Sequence, residues 1–232
     1  MSAPEPSATL ARMTAARSRW QAFVGLDGGP RGPGTALGPG LARWASEDAP
    51  RELPVPDVRQ QTTYTCGPAC LLCACGFFGV PATEEELADL CGTTEAGTPP
   101  DALAQAAQQK GLTAEVHEGL TLDDLSQLLA DGAVVVLALQ AWSPDGPGHD
   151  YGAEWDDGHY VVPTAVTPDR IVFEDPSVAD KRVTLTPDEL EERWHDVAQG
   201  ERQDHLGVVL RGPRGFEPAP APVPESQMEP MG

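Results

Sequence analysis

The hydrophobic pattern of this 232-residue chain changes period once, near residue 132. On the N-terminal side of that point, "TEEELADLCG" (83–92) places Thr83 and Glu86 in capping-box spacing and closes on Gly92. The stretches "TPPDALAQAAQQKG" (98–111) and "TLDDLSQLLADG" (121–132) repeat the design, each with a threonine cap, an acidic first turn and a glycine stop. On the C-terminal side β-branched runs take over: "AVVVLAL" (133–139), "HYVVPTAV" (159–166), "RIVFED" (170–175) and "HLGVVLR" (205–211) read as strands, and the short "TPD" at 167–169 makes the middle two a hairpin. One more helix is predicted in "TPDELEERWHDV" (186–197), with Thr186 as cap, Pro187 at the first helical position and Glu189 completing the box. Helices first and strands afterwards, without alternation, predict an α+β fold rather than a doubly wound sheet.

The length suits one well-buried domain with extensions. Glycine and proline, 24 residues each, concentrate near the ends, in "GLDGGPRGPGTALGPG" (25–40) and "GPRGFEPAPAPVPESQMEPMG" (212–232). Such segments carry too little apolar surface to offset their ordering entropy. The expected organisation is a largely flexible extension over 1–52, a domain over 53–211 and a disordered tail over 212–232.

Against 15 basic residues stand 36 acidic ones, a formal net charge of −21. That field repels phosphate backbones and anionic lipid, so neither nucleic acid nor membrane is an expected partner. The longest apolar run, "AVVVLAL", has the length of a buried strand rather than of a span, and the N-terminal residues show no signal-peptide pattern. Five cysteines, four of them crowded between positions 66 and 75, do not form a secreted disulfide framework. A reduced, cytoplasmic setting is expected; the oligomeric state is left open.

The cysteine-rich stretch "CGPACLLCACGFFG" (66–79) reads as a buried helix. Pro68 belongs in a first turn, which puts Cys66 at the helix N-terminus, where open amide groups and the positive end of the dipole favour a thiolate. Cys70, Cys73 and Cys75 lie deeper and read as small core residues. A structural metal is the sharper alternative for this cluster, but a second ligand pair at zinc-finger spacing is missing and Cys91 is isolated.

A thiol nucleophile needs a base and an orienting group. His117 sits in an exposed segment, His195 near the end of a charged helix, His205 at a strand start, and His149 in a loop of glycine, proline and aspartate too mobile to hold an imidazole. His159 opens an apolar strand, where a sheet can aim its ring. Antiparallel pairing of "HYVVPTAV" with "RIVFED" brings Glu174 or Asp175 beside it, and the short side chain of Asp175, before Pro176, suits the strand end. Gln60 and Gln61 precede Cys66, and either amide could join its backbone N–H as an oxyanion donor.

In combination, "QQTTYTCGPACL", "GHYVV" and "FEDPS" resemble the bacteriocin-processing, double-glycine peptidases and their stand-alone relatives in the papain-like cysteine peptidase clan. The resemblance spans about residues 53–211. It implies a helical half carrying the cysteine, packed on an antiparallel sheet carrying the histidine. It implies Cys66 as nucleophile, His159 as base, Asp175 as its orienting group and Gln60, six residues before the cysteine, as the oxyanion donor. A peptide or protein substrate follows, with no cofactor and no metal. No membrane span and no phosphate-cradling loop accompanies the motifs, unlike the transporters of that family. Trp142, Tyr151 and Trp155, in the acidic loop 141–158, are candidates for lining the substrate groove. Gly28–Gly29, with Leu26 and Phe23 upstream, offers a self-cleavage site, although Pro30 follows directly. Two rival readings are a transpeptidase or acyltransferase resembling phytochelatin synthase, and a catalytically silent peptide-binding module.

Overall fold

The computed structural model describes residues 51–142, 149–178, 182–212, 221–222 and 228–230. Helix α1 (Cys66–Phe77) is apolar on nearly every side and is buried accordingly. It approaches its neighbours closely at Gly67, where a Cβ would lie 3.1 Å from Thr98 Cβ and 3.3 Å from the Tyr160 ring. Helices α2 (Glu84–Cys91), α3 (Pro100–Gln109) and α4 (Leu122–Ala130) follow, each closed by a turn through a left-handed glycine: Gly92 at φ 60, Gly111 at φ 84 and Gly132 at φ 76.

The caps differ in detail. Thr121 and Asp124 form the full reciprocal box on α4. On α2, Thr83 accepts from Glu86 N–H, but the Glu86 carboxylate pairs with Lys110 at 2.8 Å. The expected cap Thr98 is not the cap of α3. Pro99 takes that position, while the Thr98 hydroxyl bonds Thr93 at 2.8 Å and its carbonyl accepts from Tyr160 Oη at 3.0 Å. Proline tolerates a helix start without a cap, which frees the threonine for tertiary contacts.

The main sheet contains β1 (Thr113–His117), β2 (Val134–Gln140), β3 (Gly158–Val166), β4 (Ile171–Glu174) and β5 (Arg182–Leu185). Helix α5 (Pro187–Arg193), a hairpin of β6 (His195–Ala198) and β7 (Glu201–Asp204), and β8 (Gly207–Arg211) complete the domain. The order across the sheet is β5–β4–β3–β2–β8–β1, antiparallel throughout, with Met228–Pro230 added in parallel beside β5. Ala221–Pro222 pairs with Arg51–Glu52. Every residue of β2 is buried, as a strand covered on both faces requires, and α1 and α4 pack against β2 and β3. Pro163, which has no N–H to give a ladder, sits at an irregularity in the β3–β4 register between 163 and 165.

Two parts of the sequence reading are corrected here. The last helix ends at Arg193, so His195 opens a strand rather than ending a helix: Trp194 is fully buried, and its indole N–H donates to Leu206 O at 2.9 Å. The next ten residues form the β6–β7 hairpin, turned by Gln199 and Gly200 at φ 54 and 84, both in the left-handed region that a two-residue type I′ turn demands. His205 precedes β8 at φ 51 and stacks on Trp194, with ring centroids 4.9 Å apart. The strand β1, inserted among the helices, was not expected either; it pairs with β8 at the sheet edge.

Candidate active site

Cys66 is the first residue of α1 and the one cysteine of the five that is not buried. Thr65, the N-cap, makes no side-chain bond to the helix and instead receives Thr62 N–H at 3.1 Å, so no side chain closes the helix start. The other cysteines are held protonated by burial. It raises Cys70 well above the ordinary thiol range, Cys73 and Cys91 to about 12 and Cys75 to about 11. All five are free thiols, and no group of three or more potential metal ligands occurs among the described residues.

His159 is the second residue of β3, opposite Leu139, and is fully buried. Its Nε2 lies 2.7 Å from Asp175 Oδ1. Asp175 follows β4 directly and precedes Pro176; the same oxygen accepts Ser177 N–H at 2.8 Å. Burial is the largest influence on the ring and pulls its pKa down, but the Asp175 charge and hydrogen bond, joined by the nearby Cys66, outweigh it and lift His159 from 6.5 to about 10. Burial likewise pushes Asp175 upward, and is overcome by the charged ring and the Ser177 N–H, so its carboxyl ends below the ordinary value. Cys66 is close enough to act on the ring, yet His159 Nδ1 makes no hydrogen bond of ordinary geometry in the free protein. The two are neighbours by proximity rather than by a formed bond.

Gln60 is buried, and Gln61 is exposed. The Gln60 backbone N–H donates to Pro176 O at 2.9 Å, and its Nε2 donates to Thr62 O at 2.6 Å. An amide nitrogen carries two protons, so one donor remains. Gln61 uses its backbone N–H on Glu84 Oε1 at 2.8 Å.

Of the three loop aromatics, Trp142 meets the site: its ring centroid is 4.5 Å from that of His159. Tyr151 lies under the Arg193 guanidinium at 3.6 Å, and Trp155 stands between His195, at 4.4 Å, and Arg202, at 4.3 Å. These two join residues 149–157 to α5 and the β6–β7 hairpin. His149, expected in a loose loop, has its ring 4.9 Å from Tyr151 and its Nε2 3.4 Å from Glu154.

Sequence reasoning missed Asp196. Its Oδ1 accepts Val197 N–H at 2.8 Å and Gln140 Nε2 at 3.3 Å, and a Cβ on Gly158 would fall 2.2 Å from that oxygen. Burial lifts its carboxyl to about 6, against the opposing pull of these two donors and of His159. The signal available was the glycine directly before His159, which marks a close approach without saying by what.

Cys66, at a helix start in the helical half, and the buried His159–Asp175 pair, on the antiparallel sheet, meet at the seam between the two. Residues 55–147 match the peptidase C39 family, an interval that contains Gln60 and Cys66 and ends before His159. Over 126 residues, 54% of this chain and 75% of the relative, the chain is 33% identical to an uncharacterized protein of Methanothermobacter marburgensis. A shorter match, 49% over 57 residues (25% of this chain, 40% of the relative), links it to an uncharacterized protein of Methanothermobacter thermautotrophicus. The crystal structure of a C39-like peptidase from Bacillus anthracis shares the fold, with a TM-score of 0.54 at 17% identity over 72% of this chain and 100% of that one. The chain belongs to the peptidase C39 family. No helix among the described residues is long and apolar enough to cross a membrane.

Proposed function

We propose that the domain over 53–211 is a cysteine peptidase in which Cys66 attacks the scissile carbonyl, His159 moves the proton and Asp175 orients the ring. Gln60, with the open Cys66 backbone N–H, receives the oxyanion. The observation that carries this reading is the fully buried His159–Asp175 pair at 2.7 Å beside the single cysteine that is not buried. The pair holds its imidazole charged, which favours a thiolate partner, while the other four thiols remain protonated. The leaving amine then takes its proton from the same ring. Peptides are the substrate class, with cleavage after paired glycines in leader segments, and Trp142 on the His159 side of the groove. The Gly28–Gly29 site lies outside the described residues.

The test is intact-mass labelling with iodoacetamide at mildly acidic pH, on the native chain and on His159→Ala. Rapid single modification at Cys66 that the variant loses is the expected result. Slow, equal labelling of both proteins would overturn the nucleophile reading. Peptide substrates bearing Gly-Gly, compared with Gly-Ala and Ala-Gly versions, then test the cleavage site.

A further inference from the structure

Glu174, the acid that competes with Asp175 in the sequence, has its own place in the structure. It ends β4 with a buried carboxylate. Because neighbouring side chains on a strand leave opposite faces, it turns away from His159. Its Oε1 accepts Val58 N–H at 2.8 Å, and its Oε2 accepts from Arg182 Nη1. The same guanidinium bonds Glu52 Oε1 at 2.6 Å and Val55 O at 2.8 Å. Two residues beyond Glu174, Pro176 O accepts Gln60 N–H.

Residues 53–60 have no regular secondary structure, so side chains and loops must fix their course. Val58 N–H goes to Glu174, Gln60 N–H to Pro176, Gln61 N–H to Glu84 and Thr62 N–H to Thr65. Buried ion pairs of this kind contribute little net stability compared with apolar packing, and what they do supply is a fixed geometry.

We propose that Glu174 is a positioning residue for the Gln60 amide. The consecutive residues Glu174, Asp175 and Pro176 then set both halves of the machinery: Asp175 orients the base, while Glu174 and Pro176 hold the segment that carries the oxyanion donor. This inference rests on the peptidase reading above, and on Gln60 as donor within it.

Two reagents that meet the same sulfur separate the roles. With iodoacetamide the Cys66 sulfur displaces iodide at a saturated carbon, and no oxyanion forms. With p-nitrophenyl acetate the thiolate adds to the ester carbonyl, the tetrahedral intermediate carries O⁻, and its collapse expels p-nitrophenolate and leaves S-acetyl Cys66. Only the second reaction uses the donor. Gln60→Ala is expected to slow acetylation about a hundredfold while changing alkylation less than about twofold. Glu174→Ala is expected to slow acetylation about tenfold or more at unchanged alkylation. The double variant acetylates no more slowly than Gln60→Ala alone, because both act through one group. Glu174→Gln, which keeps an acceptor for Val58, restores most of the acetylation rate. If circular dichroism shows Glu174→Ala unfolded, Glu174→Asp, which withdraws the carboxylate and keeps its charge, carries the same comparison.

Equal slowing of both reagents would overturn the proposal, since Glu174 would then act on the Cys66–His159 pair or on the fold. Native acetylation in the Glu174 variants beside slow acetylation in Gln60→Ala would overturn it as well. Native acetylation in Gln60→Ala removes the oxyanion reading itself, and Glu174's role with it.

Discussion

Replacing Asp175 with asparagine removes one charge at nearly constant volume, and it isolates the interaction on which the proposed site depends. His159 rises from 6.5 to about 10 against the opposing effect of its own burial. At about 1.4 kcal/mol per pH unit, that rise corresponds to roughly 5 kcal/mol favouring the charged ring. The asparagine oxygen can still accept from the ring and from Ser177 N–H, so the expected loss of folding stability is smaller, about 3 kcal/mol near neutral pH. The sign follows from linkage. The raised His159 contributes stability that is complete below 6.5 and lost as pH rises through about 10. The lowered Asp175 contributes stability present above 3.8 and lost as pH falls below it. Urea unfolding of the native protein and Asp175→Asn should therefore differ most between about pH 4 and 6.5 and converge toward pH 10. A second readout is the imidazole itself. In ¹³C-histidine NMR, with the resonance assigned through His159→Gln, the native ring should stay protonated until about pH 10. In the variant, which keeps its burial and the upward pull of Cys66 but loses the larger pull of the Asp175 charge, it should lose its proton at a clearly lower pH. A native ring that titrates near 6.5, or equal urea midpoints at every pH, would refute the reasoning.

Asp196, raised to about 6 by burial, destabilises the fold when ionised: its contribution is favourable below its unfolded value of 3.8 and lost as pH rises through about 6. Asp196→Asn should then raise the melting temperature at neutral pH, by about 1–2 kcal/mol in stability, and flatten the pH dependence between those values; a lower melting temperature at neutral pH counts against it. Gly158→Ala would drive a methyl group to 2.2 Å from the Asp196 oxygen, and should cost about 1–3 kcal/mol alone but markedly less in an Asp196→Ala background, as thermal unfolding of the four proteins would report. At the hairpin turn, Gln199→Asn relieves a left-handed backbone at φ 54 and should stabilise by about 0.5–1 kcal/mol in urea unfolding; no change would mean the turn is strain-free as it stands.

The elements that were legible in the sequence are those specified by neighbours along the chain. The caps at Thr121 and Thr186, the glycine stops at 92, 111 and 132, and the valine-rich strands depend on contacts three or four residues away or on simple alternation. Thr98 misled because its surroundings, not its spacing, decide what its hydroxyl meets. The β6–β7 hairpin escaped because "WHDVAQGERQD" is polar: only Trp194 and His195 are buried, and the turn signal, Gln199–Gly200, lacks the usual asparagine. Among the candidate site residues, the order Gln60, Cys66, His159, Asp175 could be read in the chain. Ser177, Glu84, Arg182 and Asp196 could not: Ser177 acts through a backbone turn, and Glu84, Arg182 and Asp196 reach Gln61, Glu52 and Gln140, partners 23, 130 and 56 residues away.

The sequence by itself determined an α+β chain with one cysteine at a helix start, one histidine at the head of an apolar strand and a choice of two acids at the end of the next. Local sterics, capping and strand alternation suffice for that much. The strand end and the resemblance already favoured Asp175, and the tertiary structure added what each acid bonds. Strand geometry sends Asp175 to the imidazole and Glu174 to Val58 and Arg182, and burial turns these bonds from weak surface pairs into the interactions that fix the charge on His159. That outcome depends on which groups lose water together, and no stretch of the chain contains that information.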